Sequence, residues 1–235
     1  MDLIEVSENQ NRHPWELSRT HCILKELKKL KINGNVLDIG CGDSYFDRRL
    51  IAENPNLTVY GIDINLKEEI HEGNLHALND LAHLPDMKFD FVLMMDVLEH
   101  IEDDGSYLKM ISDKFVYGGG DIFLTVPAFQ SLYSLHDEQL KHFRRYNHGQ
   151  LKNVIMQCGL KEEKWSYFYF SLVFARLLTK NKTENLSQWQ KEEGSFATRF
   201  VTWVLNTDFA LCTALSKIGL HLPGLSLMAV CKVTQ

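Results

Sequence analysis

The chain has 235 residues, 45% hydrophobic and 24% charged, with a formal net charge of −6. That length builds one sizeable α/β unit with a buried core, and the composition excludes long disordered spans. An acidic chain has no bulk attraction for polyphosphate, so no nucleic-acid partner is expected.

The first nineteen residues, "MDLIEVSENQNRHPWELSR", lack a basic start followed by an apolar run, so no secretory signal is visible. From about residue 15 to 32 the apolar positions Leu17, Ile23, Leu24, Leu27 and Leu30 recur at helical spacing, and Asn33-Gly34 ends the pattern. Next come "NVLDIG" as a strand, "YFDRRLIAEN" as a helix, "LTVYGIDIN" as a strand and a weaker segment, "NLHALNDL". "FDFVLMMDV" reads as an apolar strand and "SYLKMISDKF" as a helix. Gly118-Gly119-Gly120 reads as a turn into the strand "DIFLTVPA", and "HGQLKNVIMQCGL" as a helix ended by Gly159. Strands apolar on both faces, alternating with helices, predict a parallel sheet covered on both sides.

The tail differs. The window from Tyr167 to Leu178 is the most apolar, but it is short and broken by Ser171 and Arg176, too little to span a bilayer. Thr179 to Gly194 reads as a polar loop. Beyond it, Val201, Val204, Leu205, Phe209, Cys212, Leu215 and Ile218 form one apolar stripe on a long helix, and "LSLMAVCKV" reads as a final strand. The stripe reads as core packing or a homodimer face. Its polar side is poor in Lys and Arg, so contact with a membrane surface is a minor alternative. Cys22, Cys41, Cys158, Cys212 and Cys231 are scattered and include no C-x-x-C pair. That argues against a disulfide framework and a zinc site; no metal is expected, and the expected location is cytoplasmic.

The stretch "NVLDIGCGDSYFDRRL" combines a strand, an Asp, two glycines and a helix start. Gly40 and Gly42 let a ligand approach the backbone, and the helix that follows aims its N–H groups at the same place. A dinucleotide fingerprint needs a third glycine at position 45, which is Tyr45, so an NAD-dependent oxidoreductase is the weaker alternative. Asp38, just before the turn, repels a pyrophosphate but suits an ammonium or sulfonium ligand. Asp63, ending "VYGID", suits the two hydroxyls of a ribose, with Ile64 beside it.

At these residues the sequence resembles the class I S-adenosylmethionine-dependent methyltransferases. "VLDIGCGDS", with Gly40, Cys41 and Gly42, is similar to the first motif of that family, and Ser44 stands where glycine is common. "GIDIN" resembles its second motif. "LNDLAHLP", with Asp80 and Leu81, resembles the segment around the adenine. "FDFVLMMDVLEHI" resembles the fourth strand and its loop, where Met95, Asp96 and His100 line the methionine end. "HPWELSRTHCI" resembles a subgroup segment that folds over the cofactor, which implies lid roles for Trp15 and Arg19. "VPAFQSLYSLHDEQLKHFRRYNHGQL" resembles a signature of that subgroup on the acceptor side.

The resemblance implies a Rossmann-like, doubly wound α/β fold. Its mostly parallel sheet has seven strands, with a helical cap over 1–33, a cofactor-binding core over 34–160, and a helical insertion before the last strand within 161–235. It implies S-adenosyl-L-methionine as cofactor but supplies no acceptor; "MDVLEH" in place of the N-P-P-Y of DNA-amine methylases, and the acidic charge, favour a small-molecule, lipid or glycan-linked acceptor, for a monomer or homodimer. The rival is a protein that binds the cofactor without transfer. Methyl transfer is an in-line displacement that needs alignment and sometimes a base. His136 and His142 are the candidate bases, with Tyr146 beside them. Arg144 and Arg145 are candidates to grip an acceptor anion, and Tyr133 to close the pocket. Each has a plainer reading: the histidines as hydrogen-bonders within a lid, the arginines as partners of Asp137 or Glu138, and Trp15 as packing on the sheet.

Overall fold

The computed structural model describes residues 12–179 and 191–234. The reading of the extreme N-terminus and most of the predicted polar loop lie outside the described residues.

Helix α1 (Pro14–Leu30) starts on His13, whose side chain accepts from Trp15 N, and ends on Lys31 in the left-handed region. It leads into β1 (Asn35–Ile39), α2 (Tyr45–Glu53), β2 (Thr58–Ile62), β3 (Ile70–Glu72), β4 (Leu75–Leu78) and β5 (Phe89–Met95). Then follow α3 (Asp104–Phe115), β6 (Val116–Pro127), α4 (Leu135–Gln139), α5 (His148–Gln157) and β7 (Leu160–Phe168). The chain continues through α6 (Phe170–Thr179) and α7 (Phe196–Ser216) to β8 (Ser226–Val233). The strand order is β3-β4-β2-β1-β5-β6-β8-β7. From β4 through β6 the pairing is parallel; β3 on β4, and β8 on both β6 and β7, are antiparallel.

The doubly wound fold and the helical insertion before the last strand match expectation, with two corrections. The sheet has eight strands, not seven: β3 is a three-residue edge hairpin whose turn is Gly73-Asn74. A Gly-Asn pair between short runs is itself a hairpin signal. The glycine triplet is not a turn before β6. The strand runs through it, and the register against β5 shifts between Phe89 and Phe91 as Gly119 takes φ +79°. The glycines permit a bulge inside a continuous strand.

The central strands read as unbroken apolar runs because alternate residues feed two cores. Leu37, Ile39, Val92 and Met94 face Leu108, Ile111 and Phe115 of α3 and Leu151 and Ile155 of α5. Val36, Phe91, Leu93 and Met95 face Ile23, Leu24 and Leu27 of α1 and Leu205, Phe209 and Cys212 of α7. The predicted stripe on the long helix is thus core for Leu205, Phe209 and Cys212. Ile218 lies beyond the helix end and is exposed. A second stripe, Phe196, Phe200, Trp203 and Leu211, faces outward, with Trp203 62% exposed. Among the described residues no helix is long and apolar enough to cross a membrane.

Phe209 is buried against Phe168 and Tyr169, with ring centroids 5.0 and 6.1 Å away, and ties α7 to the sheet. Phe209→Ala is expected to lower unfolding free energy by about 3–5 kcal/mol, read from urea denaturation. A loss below about 1 kcal/mol would show that α7 is not anchored through this ring.

Candidate functional site

The carboxyl edge of the parallel strands carries the residues singled out by motif. Gly40 takes φ +79°, and a Cβ there would lie 2.8 Å from Val97 Cγ2, so glycine is required on both counts. Gly42 is also left-handed, and so is Ser44 at φ +58°, a conformation that glycine adopts more readily than serine. Gly40 and Cys41 donate to Ile62 O at 2.7 and 3.1 Å, pinning the loop to β2. Asp63 accepts Gly42 N on one oxygen and Asn65 N on the other, both at 2.9 Å. Two backbone donors therefore fix the plane of the Asp63 carboxylate while leaving lone pairs for a ligand.

Asp38 and Asp47 are buried beside each other, and none of their four carboxyl oxygens has a hydrogen-bond donor. Asp38 is paired in register with Gly61, and a Cβ on Gly61 would sit 3.0 Å from Asp47 Oδ2. Burial, then the charge of Asp47, hold the Asp38 carboxyl well above the usual range. Burial pushes Asp47 up to about 6. Two acids enclosed together retain a proton between them. Asp47 was not anticipated; in sequence it is an ordinary acid in the first turn of a helix.

Helix α1 closes over this edge. Arg12 pairs with Glu16 and Asp43 and lies over the Tyr45 ring, 3.7 Å from its centroid. Arg19 is buried, 2.8 Å from Asp96 Oδ2 and 2.9 Å from Thr125 Oγ1. Asp96 also accepts Thr125 Oγ1 at 2.9 Å and takes φ +57°, a left-handed conformation that is uncommon without glycine. The Trp15 ring stands 5.2 Å from the Arg19 guanidinium, and its Nε1 is buried without an acceptor. A cleft of about 30 Å³ remains between α1 and the loop, lined by Glu16, Arg19, Asp38, Gly40, Cys41 and Met95 among others. The remaining motif residues lie further out. Asp80 caps a 3₁₀ turn by accepting Ala82 N at 2.8 Å, Leu81 is half-buried and Ile64 is 84% exposed.

The acceptor-side candidates gather around a residue that sequence reading left as a mere partner. Asp137 is fully buried and accepts from Arg145 Nε at 2.7 Å, Arg176 NH2 at 3.0 Å and Ser134 N at 2.9 Å, with His142 Nδ1 at 3.0 Å. Burial opposes its ionisation, but His142, Arg145 and Arg176 outweigh that and hold the carboxyl far below its ordinary value. Tyr133 donates its hydroxyl to His142 O at 2.7 Å, and the rings of His100 and His142 meet edge to face at 4.6 Å. His136 stands on α4, where burial lowers its pKa to about 4 and keeps it neutral.

Two expectations are corrected. Tyr146 is 2% exposed, and its hydroxyl is held by Asp104 Oδ2 at 2.7 Å and Leu98 O at 3.2 Å, so it braces the fold and does not reach an acceptor. Arg145 is buried and committed to Asp137 and Ala128 O, so it cannot grip a substrate anion. Arg144, more open, pairs with Asp104 at 3.1 Å and Glu102 O at 2.6 Å.

Comparison with known proteins decides the family. Residues 14–187 match the family described as "Methyltransferase domain". The chain belongs to that family. It is a class I methyltransferase in fold and motif, and S-adenosyl-L-methionine is the methyl donor of its family. A tRNA U34 carboxymethyltransferase of Vibrio campbellii is 32% identical over 61% of this chain and 45% of its own length. A ubiquinone biosynthesis O-methyltransferase of Vibrio atlanticus is 27% identical over 52% of this chain and 60% of its own. The chain thus spans about half the length of the curated relatives it matches. The methyltransferase solved in complex with the Trm112 activator of Haloferax volcanii shares the fold, with TM-score 0.59 at 16% identity over 94% of this chain and 91% of the other.

The residues present fit the donor. Its ammonium needs acceptors and its sulfonium a neighbouring negative charge, and Asp38 offers two buried oxygens without a donor; Trp15 Nε1 is a buried donor without an acceptor. Binding a cation favours the ionised form of the Asp38–Asp47 pair, so affinity is lost on acidification. S-adenosylmethionine affinity is expected to rise by up to about tenfold per pH unit between about pH 5 and 7. Asp47→Asn is expected to shift that rise to lower pH. Calorimetric titration across pH checks it, and a flat wild-type profile would exclude a proton held in the pair.

Proposed function

We propose that this chain transfers a methyl group from S-adenosylmethionine to a hydroxyl or amine of a small acceptor that enters beside His142. The observation that carries this reading is the His142–Asp137 pair at 3.0 Å. Asp137 is ionised and sits at Nδ1, so Nδ1 is the nitrogen that donates to it and Nε2 is turned away from the carboxylate. His100, on the turn that follows β5 and Asp96, meets that imidazole edge to face, which supports putting it near the methionine end of the donor.

The roles of the chain then follow. Asp63 would hold the ribose hydroxyls and Asp38 the positively charged end of the donor. Asp80 and Leu81 would flank the adenine, and Met95 and Asp96 the methionine part. Trp15 and Arg19 would exclude water from above. Bound S-adenosylmethionine supplies an electrophilic methyl group on a positively charged sulfur. His142 would take up the proton released from the acceptor, or orient the acceptor for in-line attack, with Tyr133 fixing the backbone of its loop. His136, neutral and near the same hub, is the second candidate.

Two observations bear on the acceptor. The net charge of −6 favours a small acceptor over RNA, although several relatives, the Vibrio campbellii protein among them, are named for a tRNA. The exposed ridge of Phe196, Phe200 and Trp203 on α7 supports a lipid-linked acceptor as the second reading.

Incubation with S-adenosylmethionine and panels of phenolic, amine and lipid acceptors is expected to yield S-adenosylhomocysteine that depends on acceptor. Binding without any product across the panels would favour the non-catalytic rival. Asp63→Ala is expected to weaken donor binding by about 1–3 kcal/mol, read by calorimetry, since bonds to a charged acceptor are lost. His142→Ala is expected to lower turnover about 10²–10⁴-fold with donor affinity nearly unchanged. Wild-type turnover in that variant would end its role at the acceptor.

A further inference from the structure

The 3₁₀ turn Leu98–His100 lies against the loop that carries His142. Phe143 N donates to Glu99 O at 2.8 Å, so backbone stitches the two segments together. Glu99, His100 and His142 each offer one ligand atom, and those atoms lie within 4.8 Å of one another. Ligands sharing one ion at about 2.0–2.2 Å each stand closer than roughly 4.4 Å, so small side-chain rotations complete such a set.

Three observations point to a ligand. Glu99 is 0% exposed, and neither of its carboxyl oxygens has a hydrogen-bond partner. An acid so placed is strongly disfavoured unless something positive meets it. Next, Asp137 holds His142 Nδ1, and a carboxylate behind the far nitrogen is the outer support that metal-ligating imidazoles carry. Finally, the donor chemistry is one carboxylate and two imidazoles, which suits Zn²⁺, Mn²⁺ or Co²⁺ and does not suit Ca²⁺, which takes six or more oxygens.

We infer that Glu99, His100 and His142 form a divalent transition-metal site on the acceptor side of the crevice, where the ion ligates an oxygen of the acceptor. The ion site stands on the three side chains, while its use in transfer rests on the methyltransferase reading. A hydroxyl ligated there loses its proton to bulk water, because the ion lowers its pKa. That oxygen forms the new O–C bond as the C–S bond breaks and the sulfur keeps the electron pair. With the ion bound, His142 is a ligand and the ion replaces it in activating the acceptor, which selects oxygen over amine acceptors. The expectation of no metal came from cysteine spacing, which this site does not use.

The test titrates the chelator-treated full chain with Co²⁺, read by visible absorption, and with Zn²⁺, read by calorimetry and thermal shift. One ion per chain is expected, with cobalt bands of a nitrogen- and oxygen-ligated ion and a raised melting temperature with zinc. Glu99→Gln and His142→Ala are each expected to weaken the ion at least about tenfold. No cobalt spectrum and no zinc shift in the wild-type chain overturns the site, and so does wild-type affinity in both variants. The wild-type result decides the matter even where a variant fails to fold. S-adenosylmethionine titrated into the same metal-free protein separates the two claims. Donor binding without ion binding removes the metal and leaves methyl transfer; ion binding without donor binding does the reverse.

Discussion

An unpartnered acid at the end of the central strand governs this structure. Asp38 sits where β1 gives way to the glycine loop, enclosed by α1, α2 and β2, and its carboxyl oxygens meet no donor. Burying such a group is unfavourable, and the protein moderates it by sharing a proton with Asp47. A donor molecule with a positive end would relieve it further. The surrounding features follow from keeping that place small and dry. Glycine at 40 and 61 is needed because a Cβ at either would clash with Val97 or Cys41. Arg12 ties the start of α1 to Asp43, and Arg19 ties its middle to Asp96.

A second buried acid organises the other side of the crevice. Asp137 gathers Arg145, Arg176, Ser134 and His142 from α4, its following loop and α6. Removing one member of such a buried network leaves charges uncompensated, which makes it a rigid frame. Asp38 attracts positive charge, whereas Asp137, already saturated, orients. The difference in partners supports the proposal that the donor binds on one side and the acceptor is handled on the other.

Much of this was legible in the sequence. "VLDIGCGDS" declared the loop, because strand, Asp and glycines are adjacent in the chain and their geometry is local. The two-core sheet was legible from unbroken apolar strands, and α1 from its helical spacing. The glycine triplet misled because the same residues that make a turn also permit a bulge, and only pairing with β5 distinguishes them. Arg145 and Tyr146 read as functional because polar residues in an acceptor-side motif look free until their long-range partners, Asp137 and Asp104, are known. Asp47 and Glu99 were missed for the opposite reason. Each looks like a solvated acid on a short helix, and only the fold shows that both are enclosed without donors.

The most direct test of the central claim is calorimetric titration of wild type and Asp38→Asn with S-adenosylmethionine at neutral pH. A saturable heat signal in wild type, weakened by about 1.5–3 kcal/mol in the variant, is the predicted result, as expected when a bond to a charged group is lost. Absence of any heat in wild type, or equal affinity in the two proteins, would contradict it.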